Sequence, residues 1–247
     1  MRGRKVAYLL IKIKHQKDNN ERGEFPPLII FGLKGNIVMK ERIDVLLPNM
    51  DAESSVSPYD AYVREDLQNR ILLINEQITD LVVDEQVMCI LRWNAEDRNI
   101  PTDKRKPITI YLNSEGGSSF DGQALIDVML ASKTPIKTVG IGMVASMAYL
   151  IFIAGHERIS FPNSCLLMHE GNTSVGGVSS KARDTMAFFD DMEERMKKFI
   201  LFRTSITEEK YEEVYKKEWW MYAQEAKQFG IVDKIIGEDC DIDILFS

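Results

Sequence analysis

The stretch TVGIGMVASMAYLIFIAG, residues 138–155, decides how the rest of the chain is read. It runs for 18 residues without a charge, at the lower edge of what could cross a bilayer. Gly140 and Gly142 interrupt its first third and Ser146 stands in its middle. Val139–Met143 therefore reads as a buried strand and Met147–Ala154 as a buried helix, with a turn between them. A strand and a helix both hidden from water belong to the interior of an α/β domain, and no membrane association is expected.

The flanking sequence repeats that alternation. Arg70–Ile74 is a β-prone apolar run. Asp80–Trp93 carries Val83, Val87, Ile90 and Leu91 at helical spacing, with Asp80 as its N-cap. Ile108–Leu112 reads as a strand and Asn113–Ser119 as a Gly/Ser loop. Asp121–Leu130 reads as a helix packed through Ala124, Leu125, Val128 and Met129. Cys165–Met168 is a short buried strand that ends at His169. Successive strand–helix units with short connections predict a mostly parallel sheet. In Lys181–Arg203, Ala182, Met186, Phe189, Met192, Met196 and Phe199 recur at steps of three and four. Such a helix would reach about 35 Å. Phe188 and Phe202 lie off that stripe, so the helix either lies on its own core or projects and packs against a copy of itself.

The chain has 247 residues, 45% of them apolar, enough for a substantial core. Its net charge is −7, which argues against nucleic acid as a partner. The charge is uneven: residues 1–50 carry a net +5 and the remainder a net −12. The first 47 residues look strand-rich, with an apolar run at Leu28–Phe31, a turn at Lys34–Asn36 and a second run at Ile37–Leu47. Pro48–Pro58 (PNMDAESSVSP) reads as a linker. Residues 1–58 are accordingly an N-terminal extension, and the main domain covers 59–247. Lys12 and Lys14 break the apolar run Val6–Ile11, so no secretory leader is expected there. Cys89, Cys165 and Cys240 are far apart and show no CxxC spacing, which suits a reducing, cytoplasmic setting and no thiolate metal site.

Few residues are equipped for chemistry. Of the three histidines, His15 lies in the basic N-terminal stretch and His156 follows the apolar helix, where a solvated histidine is unremarkable. His169 ends a buried strand. Ser146 stands at a strand-to-helix junction, where its hydroxyl is either a helix cap or a nucleophile with the Met147 amide beside it. The glycines of a GxSxG elbow are absent, and spacing alone leaves cap and nucleophile equivalent. Asn113-Ser114-Glu115-Gly116-Gly117 lies between a strand and a helix, and its glycines let backbone amides approach a ligand. Neither a P-loop nor a GxGxxG sequence accompanies it, so a nucleotide site is not expected. An oxyanion hole built with the Met147 amide is the other use. No motif asks for a metal or another cofactor.

Four segments in order resemble the Clp protease proteolytic subunit, the ClpP family, across about Arg64–Gly237. Tyr111–Gly117 resembles its NSPGG loop and Gly140–Met147 its serine motif. Pro162–Asn163–Ser164 through His169 resembles its PNS…H segment, and Ala223–Asp233 (AQEAKQFGIVD) its closing signature. The resemblance implies an α/β, crotonase-like ββα spiral with a projecting handle helix at Lys181–Arg203. It implies a serine endopeptidase with Ser146 as nucleophile, His169 as base, and Gly117 and Met147 as oxyanion-hole amides. It also implies a homo-oligomer of two stacked heptameric rings that encloses unfolded polypeptide, with a Clp-type AAA+ unfoldase as partner. The chain has no Walker A motif, so any use of ATP would come from that partner.

This sequence departs from the family at several positions. Glu218 stands where the family has the triad aspartate, and we expect it to orient His169. Glu115 replaces the loop proline and Ala148 a glycine. Lys216-Lys217 replaces an acidic–Arg pair that couples ring assembly to activity. Residues 1–60 do not resemble the family's axial loop. A catalytically inert scaffold subunit of a mixed ring is the alternative reading. An acyl-CoA hydratase on the related fold is disfavoured, because that chemistry needs acidic residues rather than a serine nucleophile.

Overall fold

The computed structural model describes residues 58–246. The strands expected in residues 1–47, His15 and all of the expected linker except Pro58 lie outside the described residues. Helix α1 (Pro58–Gln68) leads into β1 (Ile71–Ile74), and a helical stretch ending in α2 (Met88–Glu96) leads to β2 (Ile108–Ser114). Then come α3 (Ser119–Ala131), β3 (Ile136–Ala145), α4 (Met147–Ala154), β4 (Glu157–Ser160) and β5 (Cys165–Met168). The long α5 (Ser179–Arg203), α6 (Glu208–Val214), β6 (Trp219–Tyr222), α7 (Ala223–Gln228) and β7 (Lys234–Ile235) complete the order.

The sheet runs β1-β2-β3-β4-β7, with β5 on β3 and β6 on β5. Every pairing between these strands is parallel except β5–β6. The expected α/β class with a mostly parallel sheet is what folds. All eight residues of α4 are buried, and the helix packs on β3, α3 and α5. Most of the uncharged run is thus hidden by protein, but Ile141–Met143 is exposed, so the strand expected to be buried over Val139–Met143 is buried only in part. Among the described residues no helix is long and apolar enough to cross a membrane.

One feature of β3 positions everything that follows. Its first half, Lys137–Gly140, pairs with β4, and its second half, Met143–Ala145, pairs with β5. Two strands therefore share one edge of β3 in succession. The change of partner coincides with a register shift against β2, from Leu112↔Gly140 to Ser114↔Val144. Gly142 sits in that irregularity with φ +69°, and a Cβ there would lie 2.6 Å from Asn113 Oδ1. A side chain would be strained by the backbone and blocked by Asn113. Asn113 in turn holds the bulge, because its Oδ1 accepts the Met143 N–H at 3.0 Å.

The helix expected from Asp80 starts as predicted but contains a π turn at Val83–Val87. The wider turn shifts its inner face: Val82, Val87, Ile90 and Trp93 are buried, whereas Leu91 is exposed and Val83 only half-buried. The Asp80 carboxylate accepts no hydrogen bond among the described residues. The Thr79 hydroxyl lies 3.4 Å from the Leu81 N–H instead. His156 is exposed, as expected, but its Nδ1 accepts the Ile136 N–H at 2.9 Å and ties the exit of α4 to the start of β3.

A buried ion pair fastens the far side of the sheet. Arg70 grips Asp97 with two N–H groups at 2.6 and 2.8 Å, and the Thr134 hydroxyl donates to Asp97 at 3.0 Å. The hydrogen bonds from Arg70 are the main cause, with help from Thr134, that the Asp97 carboxyl lies below its ordinary 3.8 despite burial. A carboxylate with a depressed folded pKa stabilises the fold fully above 3.8, and the contribution is lost as pH falls through the folded value. Asp97→Asn is therefore expected to lower the unfolding free energy by about 3 kcal/mol at pH 7. The gap from wild type, measured by urea titration, should stay constant down to pH 5 and narrow below 3.8.

Candidate active site

Four chain segments converge beyond the carboxyl ends of β2, β3 and β5, where ligands gather in open parallel sheets. Ser146 follows β3 directly and precedes the first residue of α4. Its backbone is forced into φ +56°, ψ −123°, which is costly for a residue with a Cβ. Its side chain makes no capping hydrogen bond to α4, so the cap reading falls away. Its N–H donates to Leu167 O at 3.0 Å, which binds the serine turn to the strand that ends at His169.

The glycine loop lies against this turn. Gly116 has φ +98°, and a Cβ on it would stand 2.7 Å from both Ala145 O and Ser146 Cβ. The loop is held from its other side by Ile78: Ile78 N donates to Gly116 O at 2.8 Å and Ser118 N to Ile78 O at 2.9 Å. Ser114 adds an internal brace, donating to Glu76 O at 2.6 Å and accepting the Gly116 N–H at 3.1 Å. Asn113 and Ser114, read from sequence only as part of a loop, are thus its supports. Between these anchors, the Gly117 amide donates no hydrogen bond among the described residues, and neither does that of Met147. Gly122 in α3 leaves the space that the Met147 side chain fills.

Ser146, His169, Gly117 and Met147 all line one cavity of about 340 Å³. Its walls come mainly from α4 and α5, with Phe120, Met168 and Tyr215. His169 is half-buried. Tyr215 was not singled out from sequence. It lines the cavity, stacks on Tyr211 with centroids 4.8 Å apart, and its carbonyl accepts the Glu170 N–H at 3.0 Å. Burial is the chief reason that its phenol titrates above the ordinary value.

Glu218 stands apart from this group. The antiparallel pairing of β5 and β6 ends at Met168 with Trp219, and His169 and Glu218 each lie one residue beyond that last pair. The side chain, however, is exposed, and its Oε2 accepts the Trp220 indole N–H at 3.1 Å. It does not line the cavity, and no hydrogen bond joins it to His169 among the described residues. Among those residues, no group of three or more His, Cys, Asp or Glu side chains could hold a metal.

The family model described as Clp protease matches residues 54–239. This chain belongs to the Clp protease family. It is 32% identical over 190 residues to the ATP-dependent Clp protease proteolytic subunit 2 of Thermobifida fusca (strain YX), covering 74% of this chain and 89% of that protein. Subunit 2 of Tropheryma whipplei (strain Twist) is 34% identical over 171 residues, covering 68% and 92%. Subunit 1 of Bacillus cereus (strain ATCC 10987 / NRS 248) is 32% identical over 180 residues, covering 72% and 90%. Membership of this family supports a peptidase function.

The contact of Gly116 with the serine turn makes a direct prediction. Gly116→Ala must accept a left-handed backbone and a clash with Ala145 and Ser146, and is expected to lower stability by about 1–3 kcal/mol in thermal unfolding. Ser119→Ala, at the first residue of α3 just after the loop, should change it by less than about 0.5 kcal/mol.

Proposed function

We propose that this Clp protease family member is a serine endopeptidase that hydrolyses unfolded polypeptide to short peptides in the cytoplasm. The observation that carries this reading is the strained Ser146 turn opening, with His169, onto one cavity that also receives the unpaired Gly117 and Met147 amides. Serine attacks a peptide carbonyl only if an imidazole takes its proton. Ser146 Oγ is the nucleophile and His169 the base. The developing oxyanion accepts hydrogen bonds from the Gly117 and Met147 amides, the latter at the positive end of α4. His169 then returns the proton to the departing amine, and water repeats the sequence on the acyl-enzyme.

Glu218 fits this scheme as the carboxylate that orients His169, since each lies one residue beyond the last β5–β6 pair. Its bond to Trp220 is then a resting arrangement, exchanged for His169 by rotation of the side chain. The same bond favours a second reading, an inert subunit of a mixed ring.

The assembly completes the proposal. The first half of α5 exposes Met186 and Phe188, with Val178 just before it, while Met192 and Ile200 in its second half are buried. Apolar side chains left uncovered on a long helix, Phe202 near its C-terminal end among them, suit packing against a second ring. We infer two stacked heptameric rings, with ATP supplied through a Clp-type AAA+ unfoldase.

A fluorophosphonate is expected to label Ser146 in the purified oligomer, read by peptide mass spectrometry. Ser146→Ala should abolish both labelling and casein cleavage. Glu218→Gln should slow cleavage by about 10²-fold or more. Labelling confined to mixed rings, on a paralogue rather than on Ser146, is the outcome expected of a scaffold subunit and would sink the catalytic reading.

A further inference from the structure

The cavity beside Ser146 is walled largely by carbon, from Leu150, Met168, Phe189, Met192 and Met196 among others. Among its lining residues only one side chain is an acid or a permanent cation, and that is Glu193 on α5. It is half-buried, and no cation pairs with it among the described residues. The cations around it on the same helix are committed elsewhere. Arg195 bonds Asp191, Lys198 bonds Glu194, and Lys197 bonds both Glu208 and Glu212 at 2.9 and 2.6 Å. The charged groups that act on Glu193 are Glu170 and Asp190, both of its own sign. Burial first, and then these two acids, push its carboxyl above the ordinary range. A partly desolvated carboxylate among like charges gains most from a cation brought to it.

We propose that Glu193 makes this cavity selective for polypeptide carrying lysine or arginine beside the bond that is cut, with its carboxylate receiving the ammonium or guanidinium. The inference rests on the peptidase reading of Ser146. A cavity with Met, Leu and Phe side chains in its walls and a single acid among its lining residues suits the form of these side chains, a long hydrocarbon stem tipped with charge. Residues without the charge fill the same walls but leave Glu193 unpaired.

The test uses the full-length oligomer and N-acetylated, internally quenched peptides that differ only in lysine, norleucine or glutamate at one position flanking the scissile bond. At low salt, kcat/KM for lysine over norleucine should be roughly fivefold, with glutamate poorest, and the ratio should shrink as salt rises. In Glu193→Gln the ratio should fall to near one, and in Glu193→Lys glutamate should overtake lysine. Because each protein is read as a ratio, a general loss of activity cancels. A ratio near one in the wild type, or an equal ratio in Glu193→Gln, overturns the proposal, as does a preference seen only with a free peptide amino terminus. If the wild type neither cleaves nor takes the fluorophosphonate, the peptidase reading has failed. Fluorescence anisotropy of the lysine and norleucine peptides on Ser146→Ala and Ser146→Ala/Glu193→Gln then decides the Glu193 proposal by binding. Tighter binding of lysine that vanishes with Glu193 supports it, and equal binding overturns it.

Discussion

The hydrogen bond from Ser146 N to Leu167 O closes the pairing between the second half of β3 and β5, and the site depends on that pairing. Had β4 kept the whole edge of β3, no strand would carry His169 to the serine. Handing the edge from one strand to the next requires a break in the ladder, and the break needs a residue free to take φ +69° under the Asn113 amide. Gly142 meets that need. The register shift against β2 at the same point sets the glycine loop beside the serine turn. One backbone irregularity thus brings three functional segments together.

The supports of the site are mostly backbone groups and short polar side chains, which favours rigidity. Asn113 and Ser114 each hold two things: the amide grips Asn75 and the β3 bulge, and the hydroxyl grips Glu76 and Gly116. Strain at Ser146 is sustained because both neighbours are fixed, Ala145 in the sheet and Met147 in a helix buried along its whole length. The cavity's other wall, α5, is tied to α6 by the Lys197 pairs, and α6 leads to Tyr215 and onward to Glu218. The α5 side chains that wall the cavity and the carboxylate proposed to orient the imidazole therefore sit on one connected strip of chain.

Much of this was legible in the sequence, for physical reasons that differ by element. The helix Met147–Ala154 and the strand Cys165–Met168 were readable to the residue, because an unbroken apolar run admits few alternatives once its length and breakers are noted. The stripe on the Asp80 helix was misplaced because counting at 3.6 residues per turn has no room for a π turn, which leaves no mark in composition. Gly117, Met147, Ser146 and His169 could be singled out by their junctions and by family resemblance. The supports Ile78 and Tyr215 could not, since only tertiary pairing brings them to the loop and the histidine. Glu193 was hidden for a related reason. In the sequence it is one acid among many on a charged helix, and only the pairing of every neighbouring cation with another acid isolates it.

The position of Glu218 shows how backbone and side chain can carry different information. The β5–β6 register is set by four residue pairs and by Met221 and Leu166 in the core, and it fixes the backbone as far as Met168 and Trp219, the chain neighbours of His169 and Glu218. The carboxylate is exposed and held by one indole hydrogen bond, a contact whose net worth in water is only about 1 kcal/mol. A contact that weak is readily exchanged for a charge-assisted bond, which is stronger, as the role proposed for Glu218 beside the His169 imidazolium requires. In the proposed mechanism the extra methylene of glutamate, compared with aspartate, is what would let one carboxylate serve either partner. Resting and working positions of this side chain can therefore differ while the strand beneath it stays fixed.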